Sequence, residues 1–192
     1  GAIRRFTQQY YPEGTPVMNF DDDVVDILMK ESDKKMVPCE DLERDVILRG
    51  FQACKEQDAN LFGIYAVPNA MFMKHRIASG LYFCVGTMWG IITRHDPSLS
   101  VSLNDKEDYE RTILHYLRDG KVIRLDDVTV KTKFWTTGGM EEQRAVAPKE
   151  GKSDAEILAE RYPYLCTAYQ RESHGRMELR LRDTRKDCSN PA

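Results

Sequence analysis

NAMFMKHRIASGLYFCVGTMWGIITR, residues 69–94, is the stretch around which the rest of the chain is organised. Its apolar residues recur at intervals of three and four, the spacing that places side chains on one face of an α-helix. No charged residue occurs between Arg76 and Arg94, and the aromatic residues fall outside the main apolar stripe. A helix that is apolar on nearly all sides belongs in a large core or in lipid. The pattern therefore predicts a buried central helix over about residues 69–94.

The glycines within this stretch and the length of its uncharged run limit the prediction of a single buried helix. Gly80 could divide the stretch into two helices, or into a helix and a strand. Gly86 and Gly90 are four residues apart, so they share a face of the predicted helix, where another element would pack closely. A membrane span needs about 20 predominantly apolar residues. The uncharged run of residues 77–93 is shorter than that, so we do not expect membrane association.

Before the central stretch, the sequence predicts an extended arm and then two helices. Residues 1–20 are interrupted by Pro12, Gly14 and Pro16, and they carry aromatic side chains that need a surface to lie on: Phe6, Tyr10, Tyr11 and Phe20. Residues 21–32 open with three aspartates, which favours a short helix because the helix dipole attracts negative charge at its start. A second helix is predicted over residues 38–56, with Pro38 at its first position. Residues 61–67 are predicted to be a buried strand or a loop.

After the central stretch, the pattern changes from helix to strand. Residues 104–118 predict a helix with Asn104 as its N-cap and Gly120 just beyond its end. Apolar and polar residues then alternate, which predicts strands over residues 121–125 and from Val128 onward. Residues 136–151 are predicted to be a long loop, and residues 153–160 a short helix opened by a capping box. Residues 164–171 and 176–182 are predicted to pair as a β-hairpin.

Together these elements predict an α+β fold with antiparallel strands and hairpins in its C-terminal part. Helices are expected to dominate up to about residue 120 and strands after it. The strands alone carry too few apolar residues to bury one another. We therefore expect residues 21–192 to form a single α+β domain that follows the arm of residues 1–20.

Composition and charge narrow the class of protein. The chain has 192 residues, of which 41% are hydrophobic and 31% charged, as in globular domains. Its formal net charge of -3 is not that of a generally basic nucleic-acid-binding protein. The five cysteines, an odd number without a C-x-x-C pair, indicate reduced thiols, and no N-terminal segment has the pattern of a signal peptide. We therefore expect an intracellular protein, cytoplasmic or nuclear.

No motif in the sequence predicts catalysis. The chain lacks a glycine-rich phosphate loop, a G-x-S-x-G nucleophile and an H-E-x-x-H metal site. A cysteine-dependent enzyme would need Cys84 beside His95 or His115. However, Cys84 lies in the most apolar segment, where a thiol is usually buried and unreactive. The sequence favours a non-catalytic role and predicts no cofactor and no metal site.

One set of residues suggests contact with nucleic acid. Basic side chains occupy the solvent-facing positions of the predicted C-terminal strands, together with one aromatic residue: Lys131, Lys133, Trp135, Arg176, Arg180 and Arg182. Cations bind phosphates and an aromatic ring stacks on a base, a combination used by single-stranded nucleic-acid platforms. The alternative is the ordinary solvated face of an antiparallel sheet, and the presence of Glu178 among the arginines favours it.

The charge distribution and the aromatic arm favour a binding function. Residues 21–58 contain twelve acidic and six basic side chains, whereas the C-terminal part is mildly basic. Such an asymmetry suits self-association or docking on a charged partner. The sequence thus predicts a binding or assembly protein, an adaptor or oligomerising subunit, whose arm contacts a protein partner. The alternatives are a single-stranded RNA-binding module and a cysteine-dependent enzyme.

Overall fold

The computed structural model describes residues 6, 10–133, 151–172 and 175–185. This part of the chain forms an α+β fold. In chain order its strands are β1 (Pro16–Phe20), β2 (Val24–Ser32), β3 (Lys35–Pro38), β4 (Leu61–Ile64), β5 (Ile77–Gly80), β6 (Met88–Ile92), β7 (Val122–Leu125), β8 (Val128–Thr132), β9 (Cys166–Gln170) and β10 (Met177–Leu181). Helix α1 starts as a π-helix over Glu43–Leu48 and continues as an α-helix over Arg49–Glu56. It is followed by a 3₁₀ turn, Pro97–Leu99, and by α2 (Glu107–Asp119) and α3 (Asp154–Arg161).

A five-stranded mixed sheet lies at the centre of the fold, in the order β1-β6-β4-β7-β5. The neighbours β4 and β7 are parallel, and the other pairs are antiparallel. β2 is paired with both β3 and β8 in a separate three-stranded sheet, and β9 and β10 form a two-stranded sheet. Although β7 and β8 are joined by only Asp126 and Asp127, they lie in different sheets, so the chain crosses between the sheets at these two aspartates.

The central sheet buries side chains on both of its faces. On what we call the α2 face, Leu61, Trp89 and Val122 pack with α2, α3 and the β9–β10 hairpin. On the α1 face, Phe62 and Ile123 pack with α1 and the three-stranded sheet. Adjacent residues of one strand therefore enter different cores, because successive side chains of a strand point to opposite faces. Strands covered on both faces are apolar without a break, as in β4, where all four residues are buried.

The ring of Phe62 explains why two nearby positions are occupied by glycine. A Cβ atom added at Gly50 of α1 or at Gly90 of β6 would overlap this ring. Helix and strand can therefore approach the ring from both sides only where no side chain intervenes. The close packing predicted at Gly90 is confirmed, although Gly90 lies on a strand and not on the predicted helix.

The predicted central helix over residues 69–94 is wrong. The stretch contains the end of a loop, strand β5, a connection and strand β6. A short apolar run does not by itself distinguish a buried helix from a strand buried on both faces, and β6 is of the second kind, with four of its five residues buried. Gly80, at a φ of 142°, ends β5, but both alternatives predicted for this glycine are also wrong, because each contains a helix and residues 69–94 contain none.

Residues 21–32, predicted to be a short helix, instead contain strand β2. Val24, Val25 and Ile27 are β-branched and favour a strand, and the contacts with β3 and β8 decide the outcome over the three aspartates. The predicted order of helices first and strands later is also wrong, because six strands precede residue 120. Within the predicted arm, Pro16–Phe20 is an edge strand of the central sheet.

Several predicted helices and strands are confirmed, and two of the helices have capping residues that can be recognised in the sequence. Helix α3 opens with the predicted capping box between Ser153 and Glu156. Helix α2 ends at Gly120, which has the left-handed φ of 74°, although its N-cap is Lys106 and not Asn104. Helix α1, strands β4 and β7 and the β9–β10 hairpin also form where predicted. Within the described ranges, no helix combines the length and the apolar character needed to cross a bilayer.

Candidate binding surfaces

Three aromatic residues of the N-terminal segment form an exposed cluster, which we call the aromatic corner: Phe6, Tyr10 and Tyr11. Their exposed fractions are 62%, 67% and 40%. The rings of Phe6 and Tyr10 lie 5.3 Å apart, and those of Tyr10 and Tyr11 meet edge to face at the same distance. Phe20, the fourth predicted aromatic contact, is exposed at the other end of β1 and is not part of this cluster.

Backbone contacts fix the base of the aromatic corner to the end of β6. The amide of Gly14 donates to the carbonyl of Thr93 at 2.8 Å. The hydroxyl of Thr93 donates to the carbonyl of Pro12 at 2.6 Å and accepts from the amide of Thr15 at 2.8 Å. Nε2 of His95 lies 2.9 Å from the carbonyl oxygen of Tyr11. The chain next to the rings is thus held in place, which lowers the entropy lost when a partner binds them.

The basic residues predicted to form one nucleic-acid platform fall into two separate groups. Lys131 and Lys133 are exposed at the end of β8, whose Val128 and Val130 pack on the α1 face. Arg180 is exposed on β10, whose Leu179 packs on the α2 face, and Arg176 and Arg182 flank that strand. The two groups therefore lie on opposite sides of the central sheet. Trp135 lies outside the described residues.

Cys84 does not have the surroundings of a nucleophile. Its side chain is fully buried, and its thiol lies 3.7 Å from the carbonyl oxygen of Ile123. Burial raises the pKa of the Cys84 thiol to about 12, so the thiolate that would attack a substrate is not formed near neutral pH. Burial likewise raises the pKa of Cys54 to about 12 and that of Cys166 to about 11.

His115 is also buried, on the inner side of α2. Burial, reinforced by the guanidinium of Arg111, lowers the pKa of this imidazole to about 3. Arg111 stacks on Trp89, with its guanidinium carbon 3.8 Å from the ring centroid. A neutral imidazole without solvent contact has no route to a substrate, so these side chains belong to the core. Among the described residues, no three metal-ligating side chains come close enough together to hold an ion.

A second surface was not predicted from the sequence. It is the arginine–tyrosine cluster, consisting of Tyr65, Arg76, Tyr82, Arg124 and Asp126. The Asp126 carboxylate accepts from Nε of Arg76 at 2.7 Å and from Nε of Arg124 at 2.6 Å. The Arg124 guanidinium lies 5.0 Å from the ring centroid of Tyr65 and 4.7 Å from that of Tyr82, within cation–π range.

The loop between β4 and β5, residues 65–76, passes beside this cluster. Ala70 and Met73 are buried and hold the loop, while Phe72 between them is 61% exposed. Nζ of Lys30 donates to the carbonyl of Ala70 at 2.6 Å, and the amide of Lys74 donates to the carbonyl of Asp126 at 3.1 Å. The loop is therefore anchored at several points and presents Phe72 outward.

The sequence signal for this surface is the basic run Lys74-His75-Arg76, which interrupts the apolar pattern of residues 69–94. Its partner Arg124 is far away in sequence and comes close only because β5 pairs with β7. Comparisons of the chain with known protein families, with curated proteins and with solved structures found no match.

Proposed function

We propose that this protein acts by binding other protein chains, as an assembly or adaptor subunit, and that the aromatic corner is its main contact. The observation that carries the proposal is the group of three exposed rings next to an anchored segment, residues 11–15. Tyrosine and phenylalanine are enriched in protein interfaces, where large rigid rings fill pockets of a partner. Clustered exposed apolar groups mark interaction sites more often than isolated ones do.

A second copy of the chain is the partner to test first, because the charges are distributed unevenly over the fold. The acidic residues 21–58 contribute β2, β3 and α1, which cover the α1 face. The exposed arginines of the β9–β10 hairpin lie on the α2 side. An acidic segment on one side of the molecule and an arginine-rich hairpin on the other favour a head-to-tail contact between copies.

An intracellular location is part of the same proposal. Among the described residues, Cys39, Cys54, Cys84 and Cys166 are free thiols, as expected in a reducing compartment. A cysteine-dependent enzyme is not part of it, because the Cys84 thiol is buried and its pKa is raised.

The test replaces two rings of the aromatic corner, in the double variant Phe6→Ala/Tyr10→Ala. We expect it to shift the wild-type assembly toward the monomer, measured as molar mass by light scattering after size-exclusion chromatography over a range of concentrations. Phe72→Ala is the matched control, because Phe72 is similarly exposed, at 61%, but lies on the loop between β4 and β5. It should leave the molar mass unchanged.

Two results would count against the proposal. A wild-type chain that stays monomeric at every soluble concentration would remove self-association. An assembly that persists in the double variant, or that responds equally to Phe72→Ala, would show that the aromatic corner is not the contact.

A further inference from the structure

The arginine–tyrosine cluster lies at the corner of the central sheet diagonally opposite the aromatic corner. Tyr65 follows the carboxyl end of β4, and Asp126 follows the carboxyl end of its parallel neighbour β7. Arg76 immediately precedes β5, the edge strand next to β7. The aromatic corner is attached near Ile92, beside the other edge strand β1 and at the amino end of β4. The cluster is thus a separate surface, and its role is independent of the proposed protein contact.

The cluster carries surplus positive charge that faces outward. Two guanidinium groups share the single carboxylate of Asp126, whose side chain is only 2% exposed, whereas that of Arg76 is 46% exposed. Of the nearby carboxylates, Asp127 is paired with Arg49 and Asp33 with Lys30, although the Asp33 side chain is 85% exposed and leaves one negative charge at the surface. The exposed Lys74 adds a further positive charge. At the Arg76–Asp126 pair, an approaching anion therefore meets the exposed guanidinium of Arg76 before the buried carboxylate of Asp126.

The Arg76 side chain is also oriented in advance. Its contact with Asp126 uses Nε, one of the five N–H donors of a guanidinium group, and fixes the plane of that group. A guanidinium held in this way loses less entropy when its remaining donors bind a phosphate in a forked geometry.

Beside these cations, Phe72 offers an exposed aromatic ring. The buried neighbours Ala70 and Met73 and the contact from Lys30 keep the loop in place. Phe72 stands two residues before Lys74 and four before Arg76, so one anchored loop carries an exposed aromatic ring and two cations.

We propose that this loop surface, formed by Phe72, Lys74 and Arg76 on the arginine–tyrosine cluster, binds single-stranded nucleic acid. Lys74 and Arg76 contact phosphates, and Phe72 stacks on a base. A base must be unpaired to stack on a side chain, which is why the strand is single. The surface differs from the one predicted on the C-terminal strands, and the chain's net charge of -3 is compatible with it because the positive charge is local.

The experiment is a fluorescence-anisotropy titration of the full chain with a short mixed-sequence RNA, at low and near-physiological salt. We expect binding that weakens as salt rises, because phosphate contacts release counterions. Phe72→Ala and the double variant Lys74→Gln/Arg76→Gln should each weaken binding at least about fivefold. The double variant Lys55→Gln/Lys152→Gln, which also removes two positive charges at exposed sites, should not. Circular dichroism confirms that each variant is folded, and Phe72→Ala keeps the test valid if loss of the Arg76–Asp126 pair disturbs the fold.

A second ligand, inorganic polyphosphate, separates nucleic acid from anions in general. Phe72→Ala should weaken RNA binding and leave polyphosphate binding unchanged, since polyphosphate has no base to stack. Equal effects on both ligands would show a general anion site and overturn the proposal. So would an absence of RNA binding at low salt, or binding that depends on Lys131 and Lys133 or on Arg180 and Arg182 in place of the loop surface. Binding of a second copy of the chain through this loop, without RNA binding, would also overturn it.

Discussion

At the scale of single residues, His115 makes the free energy of unfolding depend on pH. Its pKa is about 3 in the folded protein, mainly because of burial, and about 6.5 when it is free in the unfolded chain. Between these two values the unfolded chain binds one more proton than the folded chain does at this position. The free energy of unfolding therefore falls as the pH is lowered through this window, by up to about 1.4 kcal/mol per pH unit from this residue alone.

His115→Leu is expected to remove that dependence. The variant loses part of the packing at neutral pH, but its stability relative to wild type should improve steadily as the pH falls from about 6 to about 5. Urea unfolding at several pH values, followed by tryptophan fluorescence, measures both curves. Met88→Leu is the control, because it changes a buried side chain without a titratable group. If the wild-type and His115→Leu curves stay parallel over this range, the imidazole is not the group responsible.

At the scale of elements, Phe62 sets the fit between α1 and β6. Its ring occupies the space that a Cβ atom would need at Gly90, and the sulfur atom of Met18 lies against the same space, in a closely packed core. We expect Gly90→Ala to lower the free energy of unfolding by roughly 1–3 kcal/mol through overpacking. Denaturant unfolding provides the measurement, and Phe62→Leu in the Gly90→Ala background should recover part of the loss. Additive effects of the two substitutions would contradict the proposed overlap.

The elements that the sequence predicted correctly carry their signals locally. Gly120 marks the end of α2 and Ser153 the start of α3, and each requires only the residues of its own helix. The central stretch has no such signal. Met88–Ile92 is apolar because both faces of the sheet are covered, and that covering comes from helices distant in the sequence. Periodicity within the stretch therefore favoured a helix, and tertiary packing made it a loop and two strands.

The candidate surfaces also differ in how far neighbouring residues of the sequence predict them. Phe6, Tyr10 and Tyr11 are close together in sequence, so their clustering was predictable, although the contact of Thr93 with the neighbouring Pro12 was not. The arginine–tyrosine cluster depends on the pairing of β5 with β7, which cannot be predicted from the residues of either strand alone. The basic residues of β8 and β10 share a strand pattern but lie in different sheets, so similarity of pattern did not make them neighbours.

At the scale of the whole molecule, the two proposed surfaces lie at opposite ends and opposite edges of the central sheet. Sites that share no contacts respond independently to substitution, with effects that add within a few tenths of a kcal/mol. Phe6→Ala/Tyr10→Ala should therefore reduce assembly and leave RNA affinity per chain unchanged. Phe72→Ala should reduce RNA affinity and leave assembly unchanged.

This independence is tested by measuring both properties in both variants and in their combination. Molar mass reports on the aromatic corner, and RNA anisotropy, recorded at a concentration where the chain is monomeric, reports on the loop surface. The combined variant should show the sum of the two single effects. A fall in RNA affinity on Phe6→Ala/Tyr10→Ala under monomeric conditions would mean that the two corners are coupled through the sheet. A fall seen only under assembling conditions would instead mean that assembly increases RNA binding by placing several loop surfaces on one strand, since linked sites raise the effective local concentration.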